Sequence, residues 1–443
     1  MGLQITKEQV TAMAPDSSSA KNGQKLSAMK NWQNLGQNEQ ALWGECRGSA
    51  IYQVKVDAAT LTATCSCPSR KIPCKHGLGL LFLVASTPDA LPTTDPPEWV
   101  EAWLTRRAEA AKRKEAAPKK SASVPSQKAV EKRKALVDKG IERLDLWLSD
   151  LVRNGLGGAD TQPQAFWKSV DDIAKQMVDH QASGLANRLR RLTEIPGSSP
   201  DWPKQLLAQC GKLALLSEAY RNIDRLHPAL QEDVRQLIGW TLKEDEVLAR
   251  GEKVADDWFF LGQIQITADR GVTQRTWMIG RQTKRPAMIS QFSLNGTAFS
   301  QVYPTASVQQ AEVVYWPGAA PMRVVLASRN GALQPLTEHL PGTESIDHFL
   351  GQVAQILALQ PWQDYFLCVL NTVIPFYEHE TGHWWIRDAQ NKVLPLAKGN
   401  YWSLLALSGG YPIDIACEWN GATLTPLGAL IEKRYHSIVR EGV

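Results

Sequence analysis

The sequence predicts an α+β multidomain chain, with a small ββα unit near the N-terminus, a helical bundle in the middle and a β-rich C-terminal region. Three observations carry this prediction. Short strand-like segments lead into a knot of cysteines and an apolar helix between residues 41 and 87. Apolar residues then recur at three- and four-residue spacing as far as Trp240. From Trp258 onward the alternation changes to period two.

Residues 1–40 are polar and rich in Ser, Lys and Gln, and read as an N-terminal arm with at most a short helix. Ala41–Cys46 and Tyr52–Asp57 read as strands, the second with strict alternation. A third short strand, Leu61 to Thr64, leads into the cysteines, and the chain turns helical after His76 and stops before Pro88. The unit spans 41–104. It is small for an independent core, so a staple is expected. Residues 105–128 have the Ala, Lys, Arg, Glu, Ser and Pro composition of a solvated linker, helical in its first half at most.

A helical domain is expected over 129–250. Ile141, Leu144, Trp147, Leu148 and Leu151 form one stripe, and similar stripes imply a bundle of four or five helices. Arg188, Arg190 and Arg191 on one of them read as a solvated face. A β-rich α+β domain is expected over 251–443. Its strands run through Trp258–Ile266, Arg275–Gly280, Ala287–Phe292, Ala311–Trp316, Met322–Ala327, Val373–His379, His383–Ile386, Val393–Leu396, Tyr401–Leu407 and Ile413–Trp419. One helix interrupts them, Ser345 to Leu359, opened by a serine cap.

With 443 residues, 43% hydrophobic and 21% charged, the composition excludes a wholly disordered, collagenous or coiled-coil chain. The longest apolar run, Leu78 to Ala85, is too short to span a bilayer. Met1 to Val10 has neither the basic flank nor the apolar stretch of a secretory signal, so a cytoplasmic location is expected. The net charge is +4, yet eleven Lys/Arg stand against three Glu between Thr105 and Lys134. Within that stretch Arg106, Arg107, Lys112, Arg113, Lys114, Lys119 and Lys120 suit either a solvated linker or phosphate contacts. The sixteen tryptophans spread from Trp32 to Trp419 and mark no single stacking groove, so most are expected as core anchors. Trp384-Trp385 places one indole on each face of a strand, one of them open to a partner.

Seven cysteines, an odd number, speak against a disulfide framework. Cys46, Cys210, Cys368 and Cys417 are scattered and read as small buried apolar residues. Cys65, Cys67 and Cys74 fall within ten residues, and His76 follows. Two pairs, Cys-x-Cys and Cys-x-His, flank a loop stiffened by Pro68 and Pro73. Three thiolates and one imidazole fill the tetrahedron that Zn²⁺ prefers and leave no open position for water. The expected site is one structural Zn²⁺ held by Cys65, Cys67, Cys74 and His76. Arg70, Lys71 and Lys75 lie beside it to offset its charge.

This Cys-x-Cys-x6-Cys-x-His pattern, preceded by a hairpin and followed by an apolar helix, resembles a SWIM zinc finger over residues 40–90. The stretch Thr64 to His76 is similar to bacterial SWIM proteins in particular. The resemblance implies binding to DNA or to protein. Bacterial members are often encoded beside MoxR-type AAA+ ATPases and von Willebrand A-domain proteins, which implies a partner set of that kind. The low net charge and the lack of a base-reading motif favour a protein partner over nucleic acid. Nothing indicates a membrane or a small-molecule substrate.

His379-Glu380-Thr381-Gly382-His383 satisfies HExxH, the basis for an alternative reading as a metal-dependent hydrolase. That motif needs a helix to bring both histidines to one face. Here β-prone residues flank a Thr-Gly turn pair, so the expected structure is a hairpin. The sequence contains no P-loop, no GxSxG elbow and no dinucleotide fingerprint, and the expectation is a protein that is not an enzyme.

Overall fold

A computed structural model describes residues 5–438 except 15–16, 59, 70, 72, 88–90, 117–125, 200, 269–270, 295–298 and 300. Of residues 8, 12, 17, 110–116 and 268 it describes the backbone alone. The architecture follows the expected order: a finger, a helical bundle and two C-terminal sheets.

The first body begins with α1 (Lys7–Ala12) and α2 (Ser17–Lys25). Four strands follow, β1 (Trp32–Gln37), β2 (Ala41–Arg47), β3 (Ile51–Asp57) and β4 (Ala63–Cys65), paired antiparallel in sequence order. Next come α3 (Lys75–Ser86) and α4 (Glu98–Ala116). In α3 every residue from His76 to Val84 is buried, because α1 and α2 cover the side that the sheet does not. The α2–α3 crossing is close enough to require glycine on both helices. A Cβ on Gly23 would lie 2.6 Å from Cβ of Leu78, and one on Gly79 would lie 2.9 Å from Cβ of Leu26.

The expected N-terminal arm over 1–40 is therefore corrected. Ile5, Val10, Met13 and Trp32 are part of the finger core, and β1 forms an edge of its sheet. These apolar residues are too widely spaced to show a period, although each one packs. The first half of the linker expected over 105–128 is helical, as its composition allowed, and continues a helix that begins in the finger. Residues 98–116 form one continuous helix, anchored through Trp99, Val100, Trp103 and Leu104 against Ala41 and Trp43. Lys119 and Lys120 lie outside the described residues, as do the side chains of Lys112, Arg113 and Lys114.

The second body comprises α5 (Gln127–Asn154), α6 (Gly158–Thr161), α7 (Pro163–Asp179), α8 (Ser183–Arg191), α9 (Trp202–Arg221) and α10 (Pro228–Ile238). Ile141, Leu144 and Leu148 of α5 meet Val170, Ile173 and Met177 of α7 and Leu206, Leu213 and Leu216 of α9 in one core. The stripes seen in the sequence are the faces that pack. Next, α11 (Glu244–Arg250) turns away and sets Val247 against Val314 and Trp316 of the C-terminal region.

The third body has two antiparallel sheets. The first contains β5 (Lys253–Ala268), β6 (Gly271–Gly280), β7 (Pro286–Leu294), β8 (Ser307–Tyr315), β9 (Val324–Arg329) and β10 (Gln334–Pro335). Its order is β10-β8-β5-β6-β7, with β9 also on β8. After α12 (Ile346–Leu359) come β11 (Phe366–Glu378), β12 (His383–Arg387), β13 (Val393–Pro395), α13 (Trp402–Ser408), β14 (Ile413–Trp419), β15 (Leu424–Ile431) and β16 (Arg434–Ser437). The second sheet runs β13-β12-β11-β14-β15-β16.

Phe259, Leu261 and Trp277 of the first sheet share one core with Leu370, Ile415 and Leu427 of the second. Glu418 of β14 accepts from Arg275 at 2.9 and 2.6 Å and from Trp277 Nε1 at 2.6 Å, so a charge pair ties the sheets together inside that core. The strand expected over Tyr401–Leu407 is instead helix α13, ended by Gly409 at φ +60°. Its run of Leu and Ala has no period-two alternation, and seven residues are too few to display a helical one.

The bundle and the third body are joined. Arg188 Nη1 lies 3.3 Å from Asp364, Lys212 Nζ 3.1 Å and Arg191 3.7 Å. Arg188 also donates to the Trp362 carbonyl at 3.1 Å. The solvated face expected at Arg188 is therefore a domain contact, with the side chain only 16% exposed, while Arg190 remains on the surface.

Candidate metal centre

The metal centre forms where β4 runs out and α3 begins. Cys65 is the last residue of β4, and Cys67 follows after one turn residue. Ser66 fixes that turn to β3, donating its N–H to the Gln53 carbonyl at 3.0 Å and accepting the Gln53 N–H on its Oγ at 2.9 Å. Cys74 is the N-cap of α3, with its Sγ accepting the Gly77 N–H at 3.5 Å. His76 is the second residue of the helix. Gly77 permits the approach of the helix to β4, since a Cβ there would lie 2.7 Å from that of Ala63.

The ligand atoms of Cys65, Cys67, Cys74 and His76 all lie within 4.8 Å of one another. Cys65 Sγ is 3.7 Å and Cys74 Sγ 4.0 Å from His76 Nδ1. Zinc–sulfur and zinc–nitrogen bonds of ordinary length in a tetrahedron put ligand atoms ~3.5–3.8 Å apart. The donor set and its spacing therefore fit one Zn²⁺, with Nδ1 of His76 as the nitrogen ligand. Among the described residues, these four are the group of His, Cys and carboxylate side chains close enough to hold a metal.

The thiols are already differentiated by their surroundings. The Cys65 thiol, donating to Cys74, helps hold Cys74 below the ordinary thiol range, and His76 and the Gly77 N–H act in the same direction. The same bond to Cys74, together with burial, holds Cys65 well above the ordinary thiol range. Zinc, when bound, supplies the positive charge that keeps all three as thiolates.

Sequence reasoning did not anticipate Tyr52. Its ring stacks on the His76 imidazole with centroids 4.6 Å apart and planes 26° apart, which fixes the imidazole plane. Tyr52 on β3 reads in sequence only as one more strand aromatic. Lys71 and Lys75 line a polar cleft of about 400 Å³ beside Cys67 and His76, next to Ser18 and Asn22 of α2. Arg70 lies outside the described residues. Cys46, Cys210, Cys368 and Cys417 are buried free thiols, as expected. Burial pushes Cys46 and Cys210 up to about 11.

The HExxH match lies on a hairpin. Glu378 of β11 pairs with His383 of β12, and His379 to Gly382 form the turn between them, with Gly382 at φ +70°. His379 and His383 are both exposed, and no helix brings them to a common face. Trp384 is buried, and Trp385, half-buried, donates to Glu378 at 3.2 Å.

Three thiolates and one imidazole on a ββα scaffold define a zinc-finger protein whose metal site is structural. Residues 52–85 match the SWIM zinc finger, and residues 132–238, spanning α5 to α10, match the SWIM-associated four-helix bundle domain. The chain therefore carries a SWIM zinc finger followed by a SWIM-associated four-helix bundle. No curated protein and no solved structure matches it. No described helix is long and apolar enough to cross a membrane.

Proposed function

We propose that the protein is a cytoplasmic, non-enzymatic interaction module, in which zinc holds the finger in shape and the surrounding bodies present it to a protein partner. The observation that carries this reading is the closed ligand set. With Cys65, Cys67, Cys74 and His76 all committed, the metal has no position left for substrate or water, and its contribution is to folding. The family resemblance favours an adaptor role beside an AAA+ ATPase and a von Willebrand A-domain protein. The hydrolase alternative requires a helical His379–His383 pair, whereas His379 lies in a turn and His383 opens strand β12.

The test uses the full zinc-loaded chain as bait in extract of its native cell, with and without nuclease. The expected result is a defined protein partner that survives nuclease treatment and is lost with Cys74→Ser. A partner lost on nuclease treatment, or one captured equally by both baits, overturns the reading.

A further inference from the structure

Helices α5 and α7 run antiparallel on the surface of the bundle. A Cβ on Gly140 would lie 2.9 Å from Cβ of His180, and further along α5 Trp147 Nε1 donates to Ser169 Oγ at 2.8 Å. Between the two helices lies an open groove of about 500 Å³. Leu146 stands on its wall at 68% exposure, the most exposed large aliphatic side chain among the described residues. An isolated aliphatic group this open to water gains from any surface that covers it.

Four exposed charges frame the groove, Arg143 and Asp150 on α5 and Lys168 and Asp172 on α7. Asp150 has Arg153 at 3.4 Å, and the other three make no salt bridge among the described residues. Their placement is symmetric. Arg143 and Asp150 stand at equal distances along α5 from the point between Leu146 and Trp147, about 5 Å of helix rise each. Lys168 and Asp172 stand at equal distances from Val170, next to the Ser169 that Trp147 reaches. Both midpoints are therefore at one level. Because the helices are antiparallel, Asp150 and Lys168 share one end of the groove and Arg143 and Asp172 share the other, a checkerboard of signs.

A half-turn about an axis in this face, crossing both helices at that level, lays a second copy of α5 antiparallel on α5 and a second α7 on α7. It sets Arg143 against Asp150 of the second copy and Lys168 against Asp172 of the second copy, each twice, and Leu146 meets Trp147 of the second copy. No like charges among the four coincide. An unrelated protein would need this pattern in its own sequence, whereas a second copy supplies it by symmetry. We propose that the α5–α7 face is the interface of a twofold homodimer of this chain. This surface is apart from the metal centre and does not rest on the adaptor reading above.

The test is sedimentation velocity of the full zinc-loaded chain over a concentration series. The parent should pass from monomer to dimer with a dissociation constant on the order of micromolar, as suits a small polar interface. Arg143→Asp and Asp150→Arg each bring like charges together at both ends of α5, and each variant alone should dissociate at least about tenfold more readily. Mixed in equal amounts, the two variants restore opposite charges at both ends and should dimerise within about threefold of the parent. Zinc content and melting temperature report that both fold. A parent still monomeric at about 100 µM overturns the proposal. So does a dimer that neither substitution weakens, or a pair of variants that stay apart when mixed. A monomeric parent whose captured protein partner is lost with Leu146→Arg also overturns it, and assigns the face to that partner. Because the sedimentation measurement contains purified chain alone, its failure and that of the partner capture are separate results.

Discussion

Trp362 Nε1 donates to the carbonyl of Lys212 at 2.9 Å, across 150 residues of chain. The indole comes from the segment between α12 and β11, yet it is part of the core of the helical bundle. Its carbonyl accepts from Arg188, and Asp364 two residues later gathers Arg188, Arg191 and Lys212. The bundle and the C-terminal sheets therefore share both an apolar anchor and a charged clasp. Trp362→Ala should cost about 3–5 kcal/mol, the usual range for removing a buried tryptophan. In urea, the single unfolding transition expected of joined bodies should split into two. A single transition at an unchanged midpoint would show that the anchor contributes nothing to the junction.

The metal ties the end of β4 to the start of α3, the helix at the centre of the finger core. Chelation, or Cys74→Ser, should remove about one zinc per chain and deprotect residues 60–86 in hydrogen exchange. Because α1 and α2 pack on α3, their amides should lose protection together with it, whereas β11 and β14 should keep theirs. Retention of protection throughout α3 after zinc loss would contradict the staple.

Asp233 on α10 meets the loop at Gly318, and its Oδ2 accepts the Ala319 N–H at 2.7 Å. Burial raises its carboxyl to about 6, even though that N–H opposes the change. A group raised on folding contributes stability that is complete below its unfolded value near 3.8 and is lost as pH climbs through about 6. A displacement of this size corresponds to roughly 3 kcal/mol. Asp233→Asn keeps an acceptor for Ala319 and removes the titration. Melting temperatures should favour the variant at about pH 8 and converge with the parent near pH 4. A parent as stable as the variant at the higher pH would contradict this.

Arg275 and Glu418 are buried together, with Tyr365 stacked 4.0 Å from the guanidinium. Glu418→Gln leaves that guanidinium without its counter-charge and should cost about 3–5 kcal/mol by denaturant titration. Replacing Arg275 and Glu418 together with Met and Gln should recover part of the loss. A double variant no better than the single one would show that the unpaired guanidinium is not the source of the cost.

The metal site is legible in the sequence because its four ligands lie within twelve residues, so local spacing alone fixes which atoms converge. The bundle is legible through its stripes, and α12 through Ser345, whose side chain accepts the His348 N–H at 3.3 Å as a cap should. Other features have no local signal. The β15–β16 hairpin turns on Glu432 and Lys433, both at positive φ (49° and 60°), where sequence reading looks for Asn or Gly. The role of Arg188 depends on Asp364, 176 residues away. The N-terminal helices look like a loose arm because the surface they cover is supplied by α3, far along the chain.

One more long-range contact bears on how the protein is made. The buried side chain of Gln9 donates to the carbonyls of Thr305 and Ala306, at 3.2 and 2.9 Å, from almost 300 residues upstream. A ribosome releases Gln9 long before those carbonyls exist. Until they do, its amide is hydrogen-bonded to water, and the first helix reaches its final contacts only when the segment almost 300 residues downstream has folded.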